Sequence, residues 1–469
     1  MFPRLHCDFE LAKVGDHPLN AIEPGHSTSP ESSPSPGRIP RWYRYAWFLG
    51  RPPALTQRQW RILALVSAVS FFEAYDIFLL TLNLKQIQAD LGIDEGSLGL
   101  LGSVIRSGAL LTLLIVPFAD RYGRRRVLLF TIVGYTLATA STAFAPNVES
   151  FVVLQFIARM FAIAEAVLAT VVIVEEFPPE NRGWGIGAAA AIQACGSGFA
   201  ALMFGFVDLL PYGWRALYLV GVIPLFFIAY WRRALPETEV FTQLEVSRAQ
   251  LLVPVPLFSN VWRAAREYPR VFMMLAGTLF FFSVAGNSAV FFAPKYLQDV
   301  HGWLPAQVAT LTFIGGAFAV IGNPLSGWLS DRFGRRPTGT LFSLGFGSAM
   351  IAFYSVGGLF VPMLWIVYLF FAMGSSVTLT TYSVELFPTS MRSSASGATN
   401  LVAVVGAIVG LLGVSALFGF AGSNWNAILI IAGFSLFVPP AIYCLFPETA
   451  RRSLDDIAPE MDAGKRRDQ

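Results

Sequence analysis

Hydrophobic positions along this chain gather into runs of about 20 residues, the length a helix needs to cross about 30 Å of hydrocarbon at 1.5 Å per residue. Polar and charged residues fall between the runs. We place twelve spans, at 60–84, 96–118, 126–145, 150–174, 184–207, 214–234, 271–295, 306–329, 338–359, 362–386, 393–418 and 425–446. A transmembrane β-barrel would show short alternating segments instead. The expected fold class is an all-α membrane protein with twelve transmembrane helices in two six-helix bundles related by an internal repeat.

The repeat is written in the polar punctuation. Asp120-Arg121-Tyr122-Gly123-Arg124-Arg125 closes one apolar run and opens the next, and Asp331-Arg332-Phe333-Gly334-Arg335-Arg336 does the same later on. Glu175 through Arg182 follows the first copy by 55 residues, and Glu385 through Arg392 follows the second by 54. Pro236-Glu237-Thr238 and Pro447-Glu448-Thr449 each lie 116 residues beyond their own copy. Three ordered landmarks at matched spacing mark an internal duplication.

Composition agrees. Of the 469 residues, 55% are hydrophobic and 13% charged, against about 25% charged in a soluble domain. The net charge of +3 points to no nucleic acid, because the basic residues sit in loops beside membrane segments. Cys7, Cys195 and Cys444 lack metal-ligand spacing, and the last two read as small core residues. No metal site, cofactor loop or catalytic triad is expected, so the chain does not read as an enzyme.

The expected domains are a cytoplasmic disordered tail over 1–56, a first bundle over 57–234, a cytoplasmic connector over 235–270, a second bundle over 271–446 and a tail over 447–469. Trp42–Phe48 reads either as an interfacial segment or as a linker. The connector reads as a surface helix that regulates the protein or simply joins the halves. Arginines such as Arg124, Arg125, Arg182, Arg335, Arg336 and Arg392 fall in alternate loops, whereas the opposite loops hold only Lys85, Arg215 and Lys295. By the positive-inside rule both termini face the cytoplasm of a multi-pass protein in the cell membrane, plasma or bacterial inner.

The chain resembles the major facilitator superfamily from about residue 57 to 450. The signature Gly-x-x-x-Asp-Arg-x-Gly-Arg-Arg is complete at Gly327 to Arg336, while the first copy carries Val116 in place of the glycine. The Glu-x-Phe-Pro-Thr-x-x-Arg run at Glu385 and the Pro-Glu-Thr endings resemble the sugar-porter and organic-ion branches. The resemblance implies alternating access by two bundles. Asp120, Arg121, Arg124, Arg125, Glu175, Arg182, Asp331, Arg332, Arg335, Arg336, Glu385 and Arg392 would then gate the cytoplasmic side; otherwise they fix topology alone.

Five charges lie inside apolar runs of the first half: Glu73, Asp76, Arg106, Arg159 and Glu165. An ionised side chain facing lipid at mid-depth costs about 2.5–3.5 kcal/mol, so these must face inward, pair or be neutral. Glu73 and Asp76 share a helix face, and three acids against two arginines leave one carboxyl group to take a proton. Ala74-Tyr75-Asp76 resembles the first-helix Gly-Tyr-Asp of proton-coupled sugar porters, and Arg159 matches their fourth-helix arginine. That resemblance implies a proton-coupling role for Asp76 and Arg159; a permanent ion pair is the alternative. Glu73 joins the coupling group on physical grounds. Arg106 is expected to pair with Glu73 or Glu165 until a substrate carboxylate competes.

For the solute, Asn287 with Phe291-Phe292-Ala293-Pro294 resembles the seventh-helix Asn…Tyr-Tyr-Ala-Pro of sugar porters. Phe281 and Phe282 stand where those carry two glutamines, which favours a flatter, less hydroxylated solute or reflects helix packing. Gln193 and Asn400 read as cavity polars or interhelical hydrogen-bonders. With Arg106 and Glu165 these complete the expected substrate group. The expected function is a monomeric proton symporter of a small organic solute, an organic or aromatic acid being favoured. The alternatives are a sugar or organic-cation carrier, a proton-driven exporter, and a sensor that binds without transporting.

Overall fold

The computed structural model of the chain describes residues 38–45, 49, 51–232, 265–388, 392–452 and 457. Most of the expected N-terminal tail, of the 235–270 connector and of the C-terminal tail lies outside the described residues.

Helices make up the first half as α1 (Gln57–Leu82), α2 (Leu84–Leu91), α3 (Leu98–Ser107), α4 (Thr112–Tyr122), α5 (Arg124–Thr142), α6 (Val148–Glu176), α7 (Pro179–Phe204) and α8 (Trp214–Arg232). The second half holds α9 (Pro269–Asp299), α10 (Pro305–Phe333), α11 (Arg335–Ser355), α12 (Val361–Glu385), α13 (Arg392–Ala421), α14 (Asn424–Ala432) and α15 (Val438–Leu445). Tight 3-10 turns at Gly108–Leu111 and Gly433–Phe437 carry α3 into α4 and α14 into α15, so each pair makes one interrupted crossing.

Local chemistry sets the helix starts. Thr56 and Asn147 cap α1 and α6 through reciprocal bonds with Gln59 and Ser150. Pro179, Pro269 and Pro305 open α7, α9 and α10, where a missing N–H costs nothing. The glycines of the repeated charged stretch have a backbone reason: Gly123 sits at φ 99° and Gly334 at φ 108°, a region that L side chains rarely enter. Each turns the chain between two long helices.

Ten helical segments among the described residues are long and apolar enough to cross a membrane. The third crossing of each half, α5 and α11, falls short of that measure for a visible reason. α5 opens on three arginines and buries Thr131, Thr136, Thr139 and Thr142, while α11 opens on Arg335 and Arg336 and buries Thr338 and Ser343. Several of these hydroxyls return to their own helix, as Thr136 does to the Ile132 carbonyl at 2.7 Å.

Charged and polar side chains of the spans are drawn inward, while large apolar ones cover the outside as well as filling the core. Glu73, Asp76, Glu165 and Thr131 are buried, whereas Phe130, Leu137, Phe226, Phe227 and Val320 are exposed on the bundle surface. That inversion suits a lipid surround. Cys195 and Cys444 correct an expectation: both are exposed rather than packed in the core. A thiol is apolar enough for either setting. Of the 42–48 segment, Trp42 and Tyr43 are packed against the bundle, with the Tyr43 ring 5.2 Å from Trp60 and 6.2 Å from Trp184.

Within the halves, α1 packs on α7 and α9 on α13. Between them, α3 meets α13 and α7 meets α10. The first seam is close because Gly99 faces the Leu411 carbonyl, so that any Cβ there would collide with backbone.

Candidate functional site

The repeated charged turns build the same contact twice. Arg124 reaches the Glu175 carboxylate at 3.0 Å, and in the other half Arg335 reaches Glu385 at 3.0 Å. Each pair ties the helix after the turn to the end of the crossing that follows it. Glu385 also accepts from the Thr449 hydroxyl at 2.6 Å, and Asp331 pairs with Arg335 one turn away. Glu448, from the Pro-Glu-Thr landmark, accepts the first two N–H groups of α11, from Arg335 at 2.8 Å and Arg336 at 3.1 Å. Arg182 donates to the Phe177 carbonyl at 3.1 Å, Arg332 lies over the Trp328 ring at 5.3 Å, and Arg336 lies over the Tyr443 ring at 4.8 Å. Arg125 is exposed. The side chains of Asp120, Arg121 and Arg392 lie outside the described residues.

Bonds between the halves gather at the opposite end. Lys85 pairs with Asp299 at 2.9 Å and Lys295 with Glu95 at 3.2 Å, so each half offers one cation and one anion. The Gln86 amide donates to Gln298 at 2.8 Å, and Asn424 donates to the Glu95 carboxylate at 2.9 Å. The Ser415 hydroxyl bridges the Leu100 N–H and the Gly96 carbonyl. No sequence motif pointed to this cluster; its members are ordinary loop-edge polars until the two halves are set side by side.

A cavity of about 230 Å³ lies between the halves near mid-depth. Its first-half wall consists of Arg106, Ala109, Arg159 and Ile163. Ser283, Asn287, Ala403, Val404 and Ala407 form the facing wall. Arg106 is delivered by the last turn of α3, just before the chain tightens at Gly108–Leu111. Its Nη1 donates to Asn287 Oδ1 at 2.7 Å across the seam. This replaces the expected Glu73 or Glu165 as its hydrogen-bond partner. Those acids point into the first bundle: Glu165 is fully buried and accepts from the Thr131 hydroxyl at 2.6 Å, and Glu73 is buried on α1.

Asp76 is buried one turn beyond Glu73, within electrostatic reach of Arg159. Its Oδ2 accepts from the Thr139 hydroxyl at 3.5 Å, and its Oδ1 has no hydrogen-bond partner among the described residues. Arg159 therefore lines the cavity and also feels the Asp76 charge.

The structure thus brings Arg106, Arg159 and Asn287 to one cavity and sets Asp76 behind it. The other expected substrate residues do not line it. Phe281 stacks on Phe434 at 5.9 Å, and Phe282 packs on Phe346 at 4.7 Å. Phe291 and Phe292 are buried beside Gly102 and Trp425 respectively. Gln193 is half-buried on α7, and Asn400 is exposed on α13. Sequence reading missed Ser283, Ala403 and Ala407; small residues recurring on α13 were the available signal.

The Major Facilitator Superfamily model matches residues 66–411. The chain is 25% identical over 408 residues to a putative niacin/nicotinamide transporter of Bacillus subtilis, covering 85% of this chain and 97% of that protein. It is 26% identical over 397 residues to the cis,cis-muconate transport protein of Acinetobacter baylyi, covering 82% of this chain and 94% of that one. The inward-open xylose transporter XylE from E. coli shares the fold, with a TM-score of 0.67 at 16% identity, over 85% of this chain and 99% of that one. An all-helical fold with ten membrane-length segments among the described residues, a duplicated charged turn and a family match over most of the length agree, and the chain belongs to the major facilitator superfamily of membrane transporters.

Proposed function

We propose that this protein is a monomeric, proton-coupled symporter that carries a small organic acid across the cell membrane by alternating access. One observation carries the reading: Arg106 and Arg159 line a single cavity between the halves, and neither is hydrogen-bonded to a carboxylate among the described residues. Two guanidiniums in a half-open, largely apolar cavity recruit an anion, because paired charge is far better tolerated there than unpaired charge. The names of the niacin and muconate relatives agree with an acid. Closure at the Lys85–Asp299 end, with the arginine-rich turns at the other end, supports an inward-facing state with both termini inside.

Purified protein in liposomes, loaded at one pH and diluted into another, tests the reading directly. Uptake of radiolabelled nicotinate or benzoate is expected to rise when the outside is acidic. Uptake of a neutral sugar or an amine in place of every acid would overturn it.

A further inference from the structure

The two walls of the cavity are chemically unlike. Both cations, Arg106 and Arg159, belong to the first half. The facing wall is built from Ser283 and Asn287 of α9 and Ala403, Val404 and Ala407 of α13, and carries no charge. Asn287 spends its acceptor on Arg106 at 2.7 Å and turns its amide donor back to the Ser283 carbonyl at 3.3 Å and hydroxyl at 3.5 Å. The remaining N–H groups of Arg106, and all those of Arg159, have no hydrogen-bond partner among the described residues.

Resting on the organic-acid reading above, we infer that the site is one-ended: it takes a single-ring monocarboxylate and rejects dicarboxylates. The carboxylate lies against Arg106 and Arg159, where planar forks match its two oxygens. The ring lies against Ala403, Val404 and Ala407. A second carboxylate on the far side of the ring would meet the methyl groups of Ala403, Val404 and Ala407, shedding its water with no cation to replace it. At about 230 Å³ the half-open cavity suits a small solute rather than one of the roughly 300–1,000 Å³ class. Ser283 and Asn287, the polar pair on the second wall, are the specificity-determining residues for a hydroxyl or ring nitrogen on the body of the solute. Asn287 must release Arg106 as the carboxylate arrives, so filling the first wall frees the amide that reads the second.

The test is equilibrium binding to the purified full-length protein, with benzoate and nicotinate as monocarboxylate probes, terephthalate and cis,cis-muconate as dicarboxylate probes, and benzamide as the neutral control. Benzoate and nicotinate are expected to bind at least about 30-fold tighter than either dicarboxylate, within the discrimination a site gains when a buried polar group is left unpaired. Ala403→Lys and, separately, Ala407→Lys each place a cation on the second wall. In whichever folds, the ratio of terephthalate to benzoate affinity is expected to rise about tenfold, the worth of one charge-assisted contact. Equal affinity for benzoate and muconate in the parent would overturn the one-ended site while leaving an organic-acid carrier standing. Binding of benzamide as tightly as benzoate, or of no acid at all, would overturn the organic-acid reading as well.

Discussion

Lys85 and Asp299 face each other at 2.9 Å across the seam between the halves, and Lys295 answers from the other side with Glu95 at 3.2 Å. The two crossed pairs differ in burial, and burial ranks them. Lys85 is 41% exposed, so its pair is worth at most about 1 kcal/mol. Lys295 is 3% exposed and serves both Glu95 and Asp299, so losing it removes about 1.5–3 kcal/mol of charged hydrogen bonding. We predict that Lys295→Met opens this end roughly tenfold more often than the parent, since about 1.4 kcal/mol is a factor of ten. Lys85→Met should change it by less than about threefold. The readout is the labelling rate of a cysteine at Leu411, buried in the seam against Gly99 and Gly102. Equal rates in the two variants would remove Lys295 from the closure.

The duplicated landmarks were legible in the sequence because they are local and polar. Arg124 with Glu175, and Arg335 with Glu385, recur at matched offsets, and the structure joins each pair at 3.0 Å. The mid-span charges were legible for the same reason: an arginine such as Arg106 stands out in an apolar run. Its partner was not legible, because Asn287 lies 181 residues away in the other half and only the packing of α3 against the second bundle selects it. The phenylalanines show the opposite failure. Phe281 and Phe282 occupy positions that bind solute in the sugar porters they resemble, yet here they turn to Phe434 and Phe346, a choice made by helix rotation that no spacing rule records.

Asp331 and Glu385 separate gating from folding. In this state Asp331 is 70% exposed and, among the described residues, pairs only with Arg335 on the next turn, a pair worth about 0.3–0.5 kcal/mol. Glu385 holds both Arg335 and Thr449. Glu385→Gln is therefore expected to lower the unfolding temperature in detergent, whereas Asp331→Asn leaves it unchanged and still reduces transport, because the turn matters when this end closes. Normal transport by Asp331→Asn would reduce the charged turn to a topology signal.

Glu448 gives a pH dependence with a defined sign. Burial pushes its carboxyl up, but the N–H groups of Ala450, Arg335, Arg336 and Thr449 outweigh burial and hold it below the ordinary 4.5. A carboxyl held low in the folded protein stabilises it above the unfolded value, and that stabilisation is lost as pH falls through the folded value. Glu448→Gln should thus melt about 2 °C below the parent at neutral pH, the scale of one lost helix cap in a large chain. The gap should close as the pH falls through the lowered value of the folded carboxyl, beneath the ordinary 4.5. A gap that persisted in acid would assign the effect to shape rather than charge.

In the proposed symport, coupling turns on Arg159, which lines the cavity and lies within electrostatic reach of Asp76. Asp76 is 5% exposed, with one oxygen on Thr139 at 3.5 Å and the other without a hydrogen-bond partner among the described residues. Its charge is thus balanced chiefly by a guanidinium that the solute also wants. In the proposed cycle, a substrate carboxylate drawing Arg159 towards the cavity leaves Asp76 an uncompensated buried charge, which binding a proton removes. Solute and proton then travel together, each favouring the same state of the bundles. Asp76→Asn fixes the neutral form without changing the shape. In vesicles, the parent should accumulate acid under an imposed pH gradient, and Asp76→Asn should not, while counterflow of labelled against unlabelled solute persists in both. Arg159→Lys keeps the charge but loses the planar fork, and is expected to impair binding and coupling together. If the parent ignores the gradient, proton symport fails and facilitated diffusion replaces it. If Asp76→Asn still responds to the gradient, the proton is carried elsewhere, and Glu165, buried against Thr131 on the same helix as Arg159, becomes the group to replace next.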